Sequence, residues 1–318
     1  MWIKNETYDL DNFSYTTETT QTTMYVNSII NEKNENFLKT RFFISVCLLC
    51  LGLFGNYFIF LVLKGVQSLT SILAIYMAVF DTLSLLSKVY SYGLEYYKTY
   101  NYGYFYCVTW YIPTIIFGST TNWTLVLICI ERFISIFFPF HHRSFVSTRR
   151  VHVTMATVLC IFVVYSVVLN FMTIAYSDSP KQCVLMNVSS SKFNTIINCV
   201  AFAGPSLLIT TFTLLVIFKL KFSKRNFGRE QKSNSRQQLE SSLSRLMLSS
   251  AILFMILTLP GTLYYCLISP ALDSRKDDPV IDIVLFLLSD VSNILNFVVY
   301  LIFVKAFRSK FLQIIARK

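Results

Sequence analysis

Seven long apolar runs constrain the fold of this chain more than any other feature of its sequence. A transmembrane helix needs about 20 consecutive and mostly apolar residues to cross the hydrocarbon core of a bilayer. Charged residues make up only 14% of the chain, whereas soluble domains contain about 25%. We therefore predict an all-α membrane protein, a seven-transmembrane helix bundle, with spans at residues 42–63, 69–93, 103–130, 151–177, 193–218, 246–271 and 279–304.

Lysine and arginine are distributed unevenly between the two ends of these spans. The side that carries the 132–150 and 219–245 loops has 18 basic and 3 acidic residues, and the opposite side has 9 basic and 12 acidic residues. Because cytoplasmic loops carry an excess of basic residues, we expect an extracellular tail at residues 1–41, the bundle at residues 42–304 and a cytoplasmic end at residues 305–318. The net charge of +11 then reflects membrane topology, and we expect no nucleic-acid partner.

Two kinds of chemistry are expected on the extracellular side. N-glycosylation sequons begin at Asn5, Asn12 and Asn187, where glycans can be attached. Of the eight cysteines, six lie within apolar runs, and only Cys107 and Cys183 fall at the outer face. That face is oxidising, so these two cysteines are candidates for a disulfide.

Five charged side chains interrupt or close the apolar runs. Glu131 and Arg132 are adjacent at the inner end of the third run, and Asp81 lies twelve residues into the second. Lys88 lies seven residues outward from Asp81, and Asp290 lies in the seventh run. An ionised side chain costs about 2.5–3.5 kcal/mol at the bilayer centre. We therefore expect each of these residues to have a partner, a hydrogen-bonded setting or a function.

Several short motifs recur at positions that are typical of one receptor family. The first span contains LGLFGNYFIFLVL, with Asn56 in a Gly-Asn pair, and the second contains LAIYMAVFD, which ends at Asp81. Cys107 precedes Arg132 by 25 residues, about one membrane thickness along an α-helix. The chain resembles the rhodopsin-like G-protein-coupled receptors over residues 40–315. Further matches to that family are Pro139, Pro205, Phe254, Pro260, Asn296, Tyr300, Phe307 and Arg308.

The resemblance implies a plasma-membrane receptor that passes ligand binding to a cytoplasmic heterotrimeric G protein. It implies a disulfide between Cys107 and Cys183, and a switch in which Glu240 pairs with Arg132 until the sixth span moves outward. It also implies a sodium ion or a water cluster at Asp81, and no other cofactor. The residues implied in the switch are Glu131, Arg132, Pro139, Glu240, Asn296 and Tyr300. Those implied in the sodium and water cluster are Asp81, Thr121, Ser292, Asn293 and Asn296.

Four features depart from the family pattern. The fourth span lacks the usual Trp, and Thr213 replaces a Tyr in the fifth. Thr258 stands where the sixth span usually has a Trp, and Phe297 replaces the Pro of the seventh-span motif. We therefore expect a divergent member, in which the aromatic switch of the sixth span is altered.

Charged and aromatic residues in the outer half of the bundle form the predicted ligand site. The resemblance makes the second and seventh spans neighbours, so Lys88 can pair with Asp290, either as a structural ion pair or as part of the ligand site. Retinal-binding members carry a Lys where this chain has Asp290, and amine receptors carry an Asp where it has Thr114. The long outer tail and acidic outer face look more like a peptide receptor, most nearly the invertebrate FMRFamide-type neuropeptide receptors. The predicted ligand is a cationic or amidated peptide, and the predicted ligand-binding residues are Lys88, Glu95, Trp110, Thr114, Tyr265 and Asp290.

The end of the chain has the pattern of a short, amphipathic eighth helix. In VKAFRSKFLQIIARK, apolar residues recur at helical spacing and alternate with basic residues. That pattern is typical of a helix that lies on the membrane surface. We therefore expect residues 305–318 to contact membrane lipid.

Other interpretations of the chain remain as alternatives. Trp110 and Tyr265 would also suit an aromatic belt that anchors the spans at the membrane interface. An enzyme is not expected, because the sequence has no paired carboxylates at the outer face, no metal-binding His spacing and no phosphate loop. A multi-span transporter is the alternative from another class, although no internal repeat of the kind many transporters carry is visible. A lipid or odorant receptor of the same fold is the third alternative.

Overall fold

The computed structural model describes residues 17–66, 68–97, 104–109, 112–138, 147–178, 181–185, 203–226, 235–264 and 279–316. Within these ranges lie nine helices and two strands. In chain order they are α1 (Thr17–Leu63), α2 (Leu69–Tyr96), α3 (Tyr104–Thr109), α4 (Ile112–Phe137), α5 (Thr148–Thr173), β1 (Ile174–Asp178), β2 (Lys181–Leu185), α6 (Gly204–Asn226), α7 (Ser235–Leu263), α8 (Pro279–Phe303) and α9 (Lys305–Ala316).

Each of the seven predicted spans lies largely on a helix in its described part, which confirms the helical bundle. Five described segments are long and apolar enough to cross a membrane: Asn36–Leu63, Leu69–Tyr96, Ile112–Phe137, Thr148–Phe171 and Ile283–Phe303. The apolar parts of α6 and α7 within the described ranges are shorter, Gly204–Lys219 and Leu248–Leu263. The predicted fifth and sixth runs continue beyond those ranges, so the shorter lengths do not contradict the prediction.

The first helix begins well before the predicted first span. α1 starts at Thr17, and its apolar, membrane-crossing part starts at Asn36. No Gly or Pro lies between residues 17 and 51, so no helix-breaking residue separates the polar segment from the apolar one. Part of the segment predicted as an extracellular tail is therefore helical.

The fourth predicted span ends early, in a hairpin that the sequence analysis did not predict. α5 stops at Thr173, and β1 and β2 pair as antiparallel strands in which Tyr176 lies opposite Cys183. The sequence SDSP lies at the junction between the strands, and Ser, Asp and Pro are residues that favour turns. The apolar run of residues 151–177 did not reveal this boundary because β1 is itself half apolar.

The third span differs from its prediction at both ends. Residues 104–109 form the separate helix α3, and α4 begins at Ile112. α4 then continues through Glu131 and Arg132 as far as Phe137. Glu and Arg are good helix formers, so this pair does not end the helix. The helix thus continues beyond the predicted inner end of the span, and both residues are buried inside the bundle.

The bundle is organised around α4. This helix contacts α2, α5, α6 and α7, while α1 packs against α2 and α8, and α7 packs against α6 and α8. Many large apolar side chains of α1, α5 and α6 are exposed, as expected for surfaces that face lipid. The largest fully buried side chains include Ile59, Ile115, Leu125, Ile128, Met155, Ile209 and Phe307.

The predicted eighth helix is present as α9. Phe307 is buried, Phe311 and Ile314 pack against the core, and Lys305 and Arg308 are exposed. This division of apolar and basic side chains is the amphipathic pattern that the sequence predicts. α9 is also tied to the first span, because its Lys310 donates a hydrogen bond to the Val62 carbonyl over 2.8 Å.

Candidate functional site

An ion pair joins α2 to α8 in the outer half of the bundle. Lys88 Nζ donates to Asp290 Oδ1, and the exposed fractions of the two side chains are 10% and 2%. The predicted pair is therefore present. Since a buried charge without a partner is expensive, this contact explains how both charges persist within apolar runs.

A second ion pair lies at the outer ends of α1 and α2, and only one of its two residues was predicted as a site residue. Arg41 Nη1 is 3.5 Å from Glu95 Oε2. The guanidinium carbon of Arg41 is 3.9 Å from the ring centre of Tyr92 and 4.7 Å from that of Phe286. Glu95 was predicted as a ligand contact, but Arg41 was assigned to the extracellular tail because it directly precedes the first apolar run. We call Arg41, Lys88, Glu95 and Asp290 the outer charge cluster.

Hydroxyl groups connect α2 to α4 in the same part of the bundle. The hydroxyls of Ser91 and Thr114 are 2.9 Å apart, and Thr114 also lies 3.3 Å from the Ser87 carbonyl oxygen, to which it donates. Thr114 was predicted as a ligand contact, and the structure places it in this junction between α2 and α4. The other two predicted contacts, Trp110 and Tyr265, lie outside the described residues.

The predicted disulfide sits on two neighbouring elements. Cys107 belongs to α3 and Cys183 to β2, and α3 contacts both strands of the hairpin. The side chains of both cysteines lie outside the described part of the chain, so the disulfide remains a prediction. The sequons at Asn5, Asn12 and Asn187 also lie outside it.

Halfway through the bundle, Asp81 is surrounded by polar side chains. Asn296 Nδ2 donates to Asp81 Oδ2 over 2.8 Å, whereas the buried Oδ1 accepts no hydrogen bond from the described residues. A small cavity adjoins this pair, with about 10 Å³ open to the centre of a water molecule, and Thr121, Ser292, Asn293 and Asn296 help to line it. Four of the five residues of the predicted sodium and water cluster thus line this cavity, and the fifth, Asp81, bonds to one of them.

The residues of this central cluster suit a hard cation or one water molecule. The carboxylate oxygen without a partner and the nearby hydroxyl and amide oxygens are the ligand types that hard cations prefer. A cavity of this size holds about one water. The described ranges contain no group of three or more His, Cys, Asp or Glu side chains that could hold a metal ion.

At the inner end of the bundle, three side chains form the switch cluster: Thr70, Glu131 and Arg132. Arg132 Nε is 3.1 Å from Glu131 Oε2, and the guanidinium also donates to Thr70 Oγ1. The Thr70 hydroxyl in turn donates to Glu131 Oε2 over 3.4 Å. Thr70 was not predicted, and its signal is weak, because hydroxyl residues are common at the start of a helix such as α2.

The remaining predicted switch residues are only partly described. Tyr300 and Asn296 are buried on α8. Pro139 lies outside the described residues, and so does the side chain of Glu240, although Glu240 belongs to α7. The pairing of Glu240 with Arg132 therefore stays a prediction.

Thr258 and Phe297, which depart from the family pattern, make specific contacts in the structure. The Thr258 hydroxyl donates to the Phe254 carbonyl over 2.6 Å, within its own helix. Phe297 contacts the rings of Phe54, Phe58, Phe307 and Phe311, which join α1, α8 and α9. Phe297 thus serves as an aromatic contact at the position where the family has a Pro.

Comparison with known proteins agrees with this arrangement. The family model of the 7 transmembrane receptor (rhodopsin family) matches residues 55–300. A curated relative, the FMRFamide receptor of Drosophila melanogaster, is 24% identical over 293 residues, which cover 84% of this chain and 52% of the relative. The chain thus spans about half the length of that relative. Because the family model covers most of the chain, including α2, α4 and most of α8, the chain belongs to the rhodopsin family of seven-transmembrane receptors.

Proposed function

We propose that this chain is a plasma-membrane receptor for a neuropeptide and that it signals through a heterotrimeric G protein. Membership of the rhodopsin family and similarity to an FMRFamide receptor support this proposal. The family match does not favour the transporter alternative. The outer charge cluster is the observation that supports the ligand proposal, because it brings together two carboxylates and two cations from α1, α2 and α8. In the proposed topology, these helix ends face the outer side.

The charge cluster suits a cationic or amidated peptide. Asp290 and Glu95 each have a cationic partner on a neighbouring helix. A positively charged group of the ligand can compete for either carboxylate, and a guanidinium does so with two parallel hydrogen bonds. Thr114, Trp110 and Tyr265 complete the proposed wall of the pocket. In the resting receptor, Lys88 is the partner of Asp290.

Ligand binding must alter the inner end of the bundle in order to reach a G protein. An agonist shifts a resting equilibrium only by its difference in affinity for the two states. In the proposed resting state, Glu131, Thr70 and Glu240 hold Arg132. Activation moves α7 outward and exposes Arg132, while Asn296 and Tyr300 rearrange on α8. A sodium ion or water beside Asp81 would stabilise the resting packing.

A panel of neuropeptides applied to transfected cells tests the proposal, with calcium and cAMP as readouts. Asp290→Asn should lower the potency of an agonist that contains Arg by at least about tenfold. It should lower much less the potency of the same peptide with a neutral residue in place of the Arg. The matched control is Lys39→Ala, because Lys39 is an exposed cation of α1 outside the charge cluster. Equal losses for both peptides would mean that Asp290 only supports the fold. A response to lipids or odorants alone would reject the peptide ligand.

A further inference from the structure

Arg41 occupies a site built for a guanidinium group. The aromatic rings of Tyr92 and Phe286 lie 3.9 Å and 4.7 Å from its guanidinium carbon, and Glu95 approaches its Nη1 to 3.5 Å. We call Tyr92, Glu95 and Phe286 the guanidinium cage. These three residues come from α2 and α8, whereas Arg41 comes from α1, so the cage and its occupant belong to different helices.

The chemistry of the cage selects a guanidinium over an ammonium group. A planar guanidinium stacks on aromatic rings and is weakly hydrated, while an ammonium group is a compact and strongly hydrated point charge. Cations over aromatic rings gain about 0.5–2 kcal/mol, with the larger value where water is excluded. The exposed fraction of the Arg41 side chain is only 11%, so water is largely excluded from this contact.

We propose that Arg41 is an internal substitute for a guanidinium group of the ligand, and that the ligand's guanidinium replaces it in the cage. This inference rests on the proposed function, since it specifies which group of a cationic ligand enters the pocket. It makes Arg41 a residue that determines ligand specificity. The resting receptor then holds its own side chain in the position that the agonist takes.

Charge balance favours replacement over addition. The outer charge cluster contains two cations, Arg41 and Lys88, and two carboxylates, Glu95 and Asp290. A third cation added among them would be buried without a carboxylate of its own, which is costly in a site that excludes water. Exchange of one guanidinium for another keeps both ion pairs intact. Among these four charged residues, a ligand guanidinium that enters the cage therefore does so as Arg41 leaves it.

The position of Arg41 on α1 allows it to leave. It lies near the outer end of the apolar segment Asn36–Leu63, and Lys39 and Thr40 beside it are exposed. Arg41 belongs to the same folded chain as the cage, so its guanidinium occupies the cage without the loss of translational and rotational freedom that a free compound must bear. A small guanidinium compound in solution should therefore fail to displace Arg41, whereas a peptide with additional contacts can displace it.

Thermal unfolding of the purified full-length receptor in lipid nanodiscs tests the proposal with simple probes. The probes are methylguanidinium and methylammonium at equal, low-millimolar concentrations, so that ionic strength is matched. The variants are wild type, Arg41→Ala, Arg41→Ala with Glu95→Gln, and Lys39→Ala as the matched loss of a nearby exposed cation. A probe that binds the folded state alone raises the midpoint of unfolding.

Methylguanidinium should stabilise Arg41→Ala by about 2 °C or more, and methylammonium should not. Neither probe should stabilise wild type or Lys39→Ala, and the response should disappear when Glu95→Gln is added. If Arg41→Ala is recovered unfolded, methylguanidinium in the extraction buffer should restore folded receptor. Equal effects of the two probes on Arg41→Ala, no effect of either, or no recovery by methylguanidinium would overturn the proposal.

The measurement needs no agonist and no G protein. A negative result would reject the proposed exchange at Arg41 and would leave the peptide receptor proposal intact. Conversely, a peptide panel without any response would reject the peptide ligand but would not alter the response of Arg41→Ala to methylguanidinium. The two failures are therefore distinguishable.

Discussion

At the scale of single residues, the ion pair between Lys88 and Asp290 shows how a buried charge depends on its partner. Both side chains lie in apolar helices and are almost fully buried. Removing one partner leaves an uncompensated charge in a medium of low dielectric constant, whereas removing both leaves only an apolar contact between helices. The stability of the receptor should therefore fall more when one side chain of the pair is replaced than when both are replaced.

We expect Lys88→Met alone to destabilise the receptor by about 3–5 kcal/mol, and Lys88→Met with Asp290→Leu to recover most of that loss. The midpoint of thermal unfolding of purified receptor measures both effects. Lys39→Ala serves as the control for the loss of an exposed cation and should leave the midpoint unchanged. A double variant as unstable as the single one would show that the two side chains do not interact.

The sequence predicted those side chains that the membrane makes costly, and missed partners that are unremarkable by themselves. Lys88, Asp290 and Asp81 stand out because charges within apolar runs need an explanation. Thr70 is an ordinary hydroxyl residue, and it lies 62 positions from Arg132 in the sequence. Arg41 lies 54 positions from Glu95 and directly precedes an apolar run. Such contacts arise only when the helices have packed.

At the scale of helices, the inner half of α8 is held by close packing against α1. A Cβ atom placed on Gly55 would lie 2.8 Å from the Phe297 Cβ and 3.1 Å from its Cγ. These atoms lie at the base of the Phe297 side chain and cannot swing away. Gly55 therefore makes room for the aromatic residue that replaces the family's Pro.

Gly55→Ala should destabilise the receptor by about 1–3 kcal/mol, because overpacking at this contact forces the two helices apart. Gly204→Ala is the matched control, since nothing lies within 4 Å of a Cβ atom at that position. Thermal unfolding of the two purified variants makes the comparison. Equal midpoints for Gly55→Ala and Gly204→Ala would contradict the close packing of α1 on α8.

The outer elements lead to a prediction about Cys107 and Cys183. Because α3 contacts the hairpin that carries Cys183, a disulfide between the two cysteines would order the mouth of the pocket. We expect mass mapping under non-reducing conditions to recover the two cysteine peptides linked. Cys129 is the internal control, because it is a buried free thiol. Recovery of both outer cysteines as thiols would reject the bridge.

The helices with long apolar runs were predicted from the sequence, and the elements without such runs, apart from the amphipathic α9, were not. Runs of about 20 apolar residues can only be satisfied in lipid as helices or closed barrels, so every span was predictable. The hairpin β1–β2 was not, because it begins inside the fourth apolar run, and neither was the outward extension of α1, which is polar. Helix ends were the least certain, as the continuation of α4 to Phe137 illustrates.

At the scale of the whole molecule, α2 passes through three polar clusters along the length of the bundle, and α8 passes through two of them. α2 contributes Lys88 to the outer charge cluster, Asp81 to the central cluster and Thr70 to the switch cluster. α8 contributes Asp290 and Asn296 to the first two. A small displacement of either helix therefore reaches more than one cluster, which suits a receptor with two packing states.

Glu240→Ala should raise ligand-free signalling about fivefold, because a bias of about 1 kcal/mol is enough to shift a resting population by that factor. Arg132→Ala should abolish agonist-driven signalling but leave surface expression intact. Basal cAMP or calcium at matched surface levels gives the readout. Glu230→Ala, which removes the other acidic residue of the segment 219–245, is the control. Unchanged basal activity in Glu240→Ala would show that Glu240 is not part of the switch.

The charge balance of the outer charge cluster limits the work that a membrane potential can do on it. One elementary charge that crosses the full potential gains or loses about 2.3 kcal/mol per 100 mV. The cluster holds two positive and two negative side chains, so a movement of the cluster as a unit transports no net charge through the field. Exchange of Arg41 for a ligand guanidinium also leaves that sum at zero. Asp290→Asn leaves the cluster with one surplus positive charge, so any movement of the cluster through the field would then carry charge.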